Sequence, residues 1–270
     1  MPFERTVKAV FIEDVWDAAE SLRINLGLRY DHFSDFGEEF SPRAGLNWEF
    51  VDNYFLKLNY GRAFRAPIYN ELYSPTTGNS DIEPETTDSY ELGLAARFWP
   101  AVNWQVTYFY RERNDFITLV DGVQQNVGKV INRGVEAQLK YDFSRGSYLS
   151  LNYTHIDPEE CPYYQPERMG AVVANWRLNK YLNWNAHCLY RGGWRRQEED
   201  PRDDLDDYTI VNTKLTVRQF LPGFDGLELG LSVFNLFDEE YYEPSTYNQG
   251  LPGDFPLPGR NFLVELRYTY

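Results

Sequence analysis

Few residues in this chain are equipped for chemistry, and they are scattered. The three histidines, His32, His155 and His187, have no nucleophile motif around them, so a Ser–His hydrolase arrangement is not expected. No catalytic residue, cofactor or metal site is expected. Cys161 and Cys188 are too few for a disulfide framework or a thiolate zinc site, and Cys188 falls in the middle of an expected strand, which disfavours a bridge. The acidic run EEDPRDDLDD at 198–207 offers hard oxygen ligands of the kind calcium takes. It lacks the ordered spacing and glycine of an EF-hand loop, so a solvated loop is the simpler reading.

Recognition of a ligand is a better use for the remaining residues. Trp194, Arg195 and Arg196 could stack on an anionic ligand and hold it through guanidinium forks, or the two arginines could be neutralised by their acidic neighbours. Tyr69, Tyr73, Tyr163, Tyr164, Tyr241, Tyr242 and Tyr247 fall in expected loops, where rigid amphipathic rings suit bulky ligands. The same rings could serve as loop packing.

Whatever positions these residues must be built from strands. Aromatics make up 17% of the chain and charged residues 25%, with a formal net charge of -15, which suits alternating surfaces and argues against nucleic acid as a partner. No stretch approaches the roughly 18 apolar residues of a membrane helix, so only a closed barrel could place this chain in a bilayer. Residues 1–16 show no basic region followed by an apolar core, so no signal peptide is read there.

Period-two alternation recurs along the chain. In SLRINLGLRY (21–30), Leu22, Ile24, Leu26, Leu28 and Tyr30 oppose Arg23, Asn25, Gly27 and Arg29. YELGLAARF (90–98) repeats the pattern, and Phe262, Val264, Leu266 and Tyr268 repeat it near the end. Many segments run about ten residues, beyond the usual soluble strand of about five or six and near the roughly 9–11 of a tilted membrane-crossing strand. Leu22, Leu26, Leu92, Leu94, Leu229, Val233, Val264 and Leu266 are expected to face lipid. Arg23, Glu91, Arg97, Glu136, Lys140 and Arg267 are expected to face the lumen.

Connections are expected to alternate in length. Short turns are read near 17–20, 51–53, 99–102, 143–147, 178–181 and 220–226, and long loops near 33–40, 63–84, 112–126, 155–166, 191–207 and 237–257. Tight turns on one rim and long loops on the other are the asymmetry of outer-membrane barrels, and aromatics near the strand ends fit interfacial girdles. The count is about thirteen strands, whereas single-chain bacterial barrels normally have an even number. The first strand would also begin on the long-loop side. The expected fold is therefore all-β, an antiparallel up-and-down transmembrane β-barrel represented by its later part.

GRAFRAPIYNELY (61–73) resembles TonB-dependent outer-membrane receptors of the siderophore and cobalamin type. IEPETTDSYELGL (82–94), NVGKVINRGVEAQLKYDF (126–143), GLSVFNLFDEEYYEP (230–244) and PGRNFLVELRYTY (258–270) resemble further segments of that family, in family order. The resemblance implies a barrel of about 22 strands filled by a plug. It also implies residence in the bacterial outer membrane and import of a scarce nutrient, such as a ferric siderophore or cobalamin, powered through TonB. It reads residues 1–270 as the C-terminal portion of the barrel domain, with the plug, the TonB box and roughly nine strands outside it. The TonB complex would then be reached only through that plug. A passive channel and a non-functional receptor fragment are the alternatives. Alone, the chain is expected not to close into a stable barrel, because an open edge in lipid leaves backbone groups unpaired.

The partners implied are outer-membrane lipid and the barrel assembly machinery. A last strand exposing unpaired backbone groups and alternate aromatics can be recognised by strand addition, and Phe262, Tyr268 and Tyr270 would carry that signal.

Overall fold

The computed structural model describes residues 4–98, 101–157, 163–246 and 253–269. In chain order its elements are β1 (Val7–Ala19), β2 (Leu22–Phe33), β3 (Gly37–Val51), β4 (Tyr54–Arg65) and the short helix α1 (Tyr69–Tyr73). Then come β5 (Glu85–Phe98), β6 (Val102–Val120), β7 (Val123–Ser144), β8 (Ser147–Ile156), β9 (Pro166–Arg177) and β10 (Leu182–Trp194). The last are β11 (Tyr208–Arg218), β12 (Leu227–Phe234), β13 (Tyr242–Glu243), β14 (Phe255–Pro256) and β15 (Asn261–Tyr268).

Thirteen strands follow one another in sequence order, with β1 at one end of the order and β15 at the other, while β13 and β14 form a separate small hairpin. This meander is the one expected from period-two segments joined by turns. The chain divides into two compact units, Met1–Ala95 with Thr107–Gly134, and Ala96–Val106 with Val135–Tyr270.

Near 17–20, 51–53, 143–147 and 178–181 the expected turns are short, whereas residues 219–226 separate β11 from β12 and the turn near 99–102 lies partly outside the described residues. Asn53, at φ 64, follows Asp52, and its N–H is capped by Glu49 Oε1 at 2.7 Å. Gly146 at φ 81 closes the β7–β8 turn. Asx and glycine residues reach such left-handed conformations at little cost.

Two of the long loops are not loops. Residues 33–40 hold only the gap between Phe33 and Gly37, and 112–126 is strand except for Asp121 and Gly122. At φ 50 and 82 these two form the type of tight hairpin that Asp-Gly favours, because both central residues must adopt positive φ. The polar composition of 112–126 belongs to a two-stranded arm. β6 and β7 run to 19 and 22 residues, far beyond the roughly 9–11 that cross a bilayer.

The two faces have opposite character, as alternation requires. In the first unit, Ile24, Leu26, Leu46, Leu58, Tyr60 and Leu92 line a shallow apolar groove of ≈ 550 Å³. The register fixes this face, since Leu26 pairs with Ala44 and Ala44 with Tyr60. On the other face Arg43 pairs with Glu13, Arg23 with Asp17 at 2.6 Å, and Asn59 with Glu91 at 3.4 Å. In the second unit Leu229, Leu231 and Val233 lie opposite Leu266, Val264 and Phe262. Lys214–Glu265 and Arg218–Glu228 ion pairs occupy the reverse side. Buried apolar side chains gather chiefly at the loop-proximal strand ends and the connections beyond them, around Leu72, Ile82 and Ile117 in one unit and Trp194, Tyr208 and Ile210 in the other.

Candidate ligand-recognition site

In the first unit, the connection from β4 to β5 is bolted to the β6–β7 arm. Arg65 ends β4 and reaches Glu71 on α1 at 3.0 Å and Glu85 at 2.7 Å. The Glu85 carboxylate, only 3% exposed, also accepts the Ile117 backbone N–H at 2.9 Å. Asn126 accepts the Glu83 N–H at 2.8 Å while donating to the carbonyls of Glu83 and Asp115 at 2.9 and 2.7 Å. Such a complete set of partners holds an otherwise irregular segment in one conformation.

Tyr69 and Tyr73 sit on α1 with ring centroids 6.3 Å apart. Tyr73 packs on the Leu72, Ile82 and Ile117 cluster, whereas Tyr69 is 40% exposed and carries the Arg5 guanidinium 5.1 Å above its ring. Of the two, Tyr69 presents the more accessible surface.

The second unit gathers more of the expected residues. Trp194, read from the sequence as part of a long loop, ends β10 beside Gly193 at φ 71 and stacks on Tyr208 at 6.2 Å. Tyr241 lies 4.9 Å from Tyr208, and Leu205 and Ile210 complete the cluster. The buried indole Nε1 of Trp194 and hydroxyl of Tyr164 have no hydrogen-bond partner. Tyr164 is tied to this region by its backbone N–H, which donates to the Arg195 carbonyl at 2.8 Å. Tyr163 and Tyr242 are exposed, and Tyr247 lies outside the described residues.

The arginine pair is neutralised. Arg195 lies 3.0 Å from Glu167, and Arg196 forms a fork with Asp254 at 3.0 and 2.5 Å. The acidic run is not a solvated loop throughout, since Asp200 is buried between Arg202 at 2.6 Å and Arg196 at 3.6 Å. The Arg202 hydrogen bonds hold the Asp200 carboxyl down at about 2. Burial pushes Asp254 upward, but the bonds from Arg196 and the Ser245 N–H outweigh it and leave it below its ordinary value. Asp207 is likewise lowered against burial, by the Tyr190 hydroxyl at 2.6 Å and the Gly193 N–H at 2.9 Å. Among the described residues no group of three or more His, Cys, Asp or Glu is arranged to hold a metal ion. Cys188 carries a free thiol, and Cys161 lies outside the described residues.

Residues absent from the sequence-derived candidates prove central to the architecture. Asn235 is buried, with its side chain bridging to the Glu239 N–H at 2.9 Å and the Glu239 carbonyl at 2.8 Å, and Asp238 caps the Arg260 N–H at 2.7 Å. These two residues of the NLFD segment tie together the root of the 235–260 connection. Glu85, Asn126, Asn235 and Asp238 all lie in the family-like segments, so a signal for them existed. Tyr208, Arg202 and Asp254 had none. On β15, Phe262 and Tyr268 are 71% and 54% exposed on the same face, and Tyr270 lies outside the described residues.

A family model described as TonB dependent receptor-like, beta-barrel, matches residues 2–236. The chain is 28% identical over 269 residues to the iron-regulated outer membrane virulence protein of Vibrio cholerae, covering 86% of this chain and 41% of that protein. It is 26% identical over 262 residues to the vitamin B12 transporter BtuB of the same species, covering 92% of this chain and 40% of the transporter. The chain thus spans about two-fifths of the length of these relatives. Among solved structures, the ferric enterobactin receptor PfeA of Pseudomonas aeruginosa superposes with a TM-score of 0.81 at 21% identity, over 97% of this chain and 44% of that one. The siderophore receptor PirA of Acinetobacter baumannii gives 0.81 at 20% identity, over 98% of this chain and 46% of its own. At these identities the structural likeness is one of fold.

Proposed function

The chain belongs to the TonB-dependent receptor β-barrel family, and from that premise we propose that it forms the C-terminal wall and outer loops of an importer for a ferric siderophore or cobalamin. The family is one of outer-membrane transport receptors. Import of an iron chelate is the leading reading, because both an iron-regulated relative and siderophore receptors stand among the similar proteins. Cobalamin is the second, supported by the likeness to BtuB.

The observation that carries the recognition reading is the aromatic cluster of Trp194, Tyr208 and Tyr241, with the unpartnered Trp194 Nε1 beside arginine-bearing loops. Iron chelates and corrinoids are broad and oxygen-rich or amide-rich, so flat rings supply contact area and an N–H without a partner inside the protein supplies direction. Tyr69, Tyr163 and Tyr242 are the exposed rings through which a ligand is first met. The apolar face meets lipid and the polar face the lumen, since an Arg at the bilayer midplane on the lipid side costs about 2–4 kcal/mol. Phe262 and Tyr268 serve recognition by the assembly machinery. Energy from the TonB complex enters this scheme through a plug, and no residue of the chain is assigned to that contact.

The test is uptake by the native host carrying or lacking the complete gene, supplied with radiolabelled iron as a panel of siderophore complexes, or with labelled cobalamin. The expected result is saturable uptake of one of them that stops when the proton gradient is collapsed. Unsaturable entry that ignores the gradient would assign a passive channel instead.

A further inference from the structure

We propose that residues 195–207 and the described parts of the 235–260 connection, 235–246 and 253–260, move as one body, latched by an arginine–aspartate lattice that holds Tyr241 against the Trp194 and Tyr208 cluster. The lattice has two cations and two anions. Arg196 forks onto Asp254 and also donates to the Asp203 carbonyl at 2.7 Å. Arg202 chelates Asp200 from its own loop, then crosses to the Ser245 hydroxyl and carbonyl, both at 2.8 Å. Asp254 accepts the Ser245 N–H at 3.1 Å, and the Ser245 hydroxyl donates to the Gly253 carbonyl at 2.8 Å. The side chains of Arg196 and Asp200 are 4% and 0% exposed.

Because the charges balance and little water reaches them, no single member can leave without stranding a buried charge. The described residues of this connection, 235–246 and 253–260, are also tied to one another. Its root is tied by Asn235 and Asp238, and its limbs by the Leu257 N–H bond to the Tyr241 carbonyl at 3.0 Å. With the latch closed, Tyr241 lies 4.9 Å from Tyr208. The latch needs no ligand, so it stands or falls separately from the uptake reading.

Two measurements on the full chain, within its complete receptor in lipid nanodiscs, test it. In the first, spin labels on Glu198→Cys and Tyr242→Cys, both exposed positions, are placed in a background with Cys161 and Cys188 replaced by Ser. A single narrow distance distribution is expected in the otherwise unaltered receptor; a broad one overturns the proposal. In the second, Asp254→Asn should speed amide hydrogen exchange on the order of 100-fold in both 195–207 and 241–246, leaving β10 and β11 unchanged. Faster exchange confined to the segment carrying the substitution would show that the loops move independently. Ser245→Ala, which removes one contact without stranding a charge, should give a smaller acceleration in the same two segments, and acceleration in one alone would also overturn the proposal.

Discussion

The outer connection of the first unit and the paired outer connections of the second are both held by arginine–carboxylate contacts, but they are held to different things. Arg65, Glu85 and Asn126 fasten residues 66–84 to regular strand, the β6–β7 arm, through backbone groups as much as side chains. Arg196 and Arg202 fasten one irregular segment to another, across 58 and 43 residues of sequence. The first arrangement is a strut on a scaffold. The second is a clasp between two otherwise separate pieces. The strut residues lie in segments that resemble the family, and the clasp residues do not. Contacts made to a strand inherit the register of the sheet, whereas contacts between loops depend on the particular lengths and compositions of both.

The largest effect is expected at the strut. Glu85→Ala leaves the Arg65 guanidinium and the Ile117 N–H without their acceptor, which costs about 3 kcal/mol. A fall in the urea midpoint of the heat-modifiable folded band measures it. A change within about 0.5 kcal/mol would mean that the strut is not a stability element.

At the clasp, a double-mutant cycle of Arg196→Ala with Asp254→Ala should return a coupling of about 2 kcal/mol. Additive effects would show that the fork of 3.0 and 2.5 Å carries no energy beyond its separate parts.

The clasp should also answer to acid in a defined window. Asp200 is depressed from 3.8 to about 2 by Arg202, so its contribution is fully present above about pH 4 and is lost as pH falls through about 2. Spin-label distances between 198 and 242 should be constant from neutral pH to about pH 4 and broaden below it. Broadening that begins near pH 6 would assign control to a histidine instead.

The smallest effect is expected at Tyr242→Ala. This exposed ring belongs to neither strut nor clasp, so stability should change by less than about 0.5 kcal/mol. Ligand affinity, measured on whole cells, is where its loss should register. A destabilisation of about 2 kcal/mol would show that Tyr242 packs as part of the clasped connections.

Much of the scaffold was legible before any coordinates. Leu26 and Leu92 share one apolar face, and Val264 lies opposite Leu231, because the side-chain period of a strand is two, and a strand cannot satisfy that pattern in the reverse register without exposing its charges. The error at 112–126 came from reading composition before turn chemistry. Apart from Ile117, which joins the Leu72 and Ile82 cluster, the residues of 112–126 are half-buried or exposed and mostly polar, yet Asp121-Gly122 already encoded the hairpin. In the candidate site, Trp194, Arg196 and Tyr241 were visible as residue types, but their roles were not. Trp194, read as a loop residue, ends β10 and packs on Tyr208, and Arg196 is consumed by Asp254.

By itself, the sequence determined the strands, their two faces, the tight turns and the family, all of which rest on short-range periodicity or on motifs a few residues long. Only the tertiary structure decided which charges are used up and which rings are brought together. Asp200, from an acidic run that reads as solvent-facing, is buried because two arginines meet it there, and Tyr208 becomes the centre of the aromatic cluster because the end of β10 and the connection after β12 bring Trp194 and Tyr241 to it. The physical reason is that a strand's partners are set by hydrogen-bond register between neighbours in sequence. A loop's partners are set by where two long excursions of the chain happen to meet, and no local pattern carries that distance.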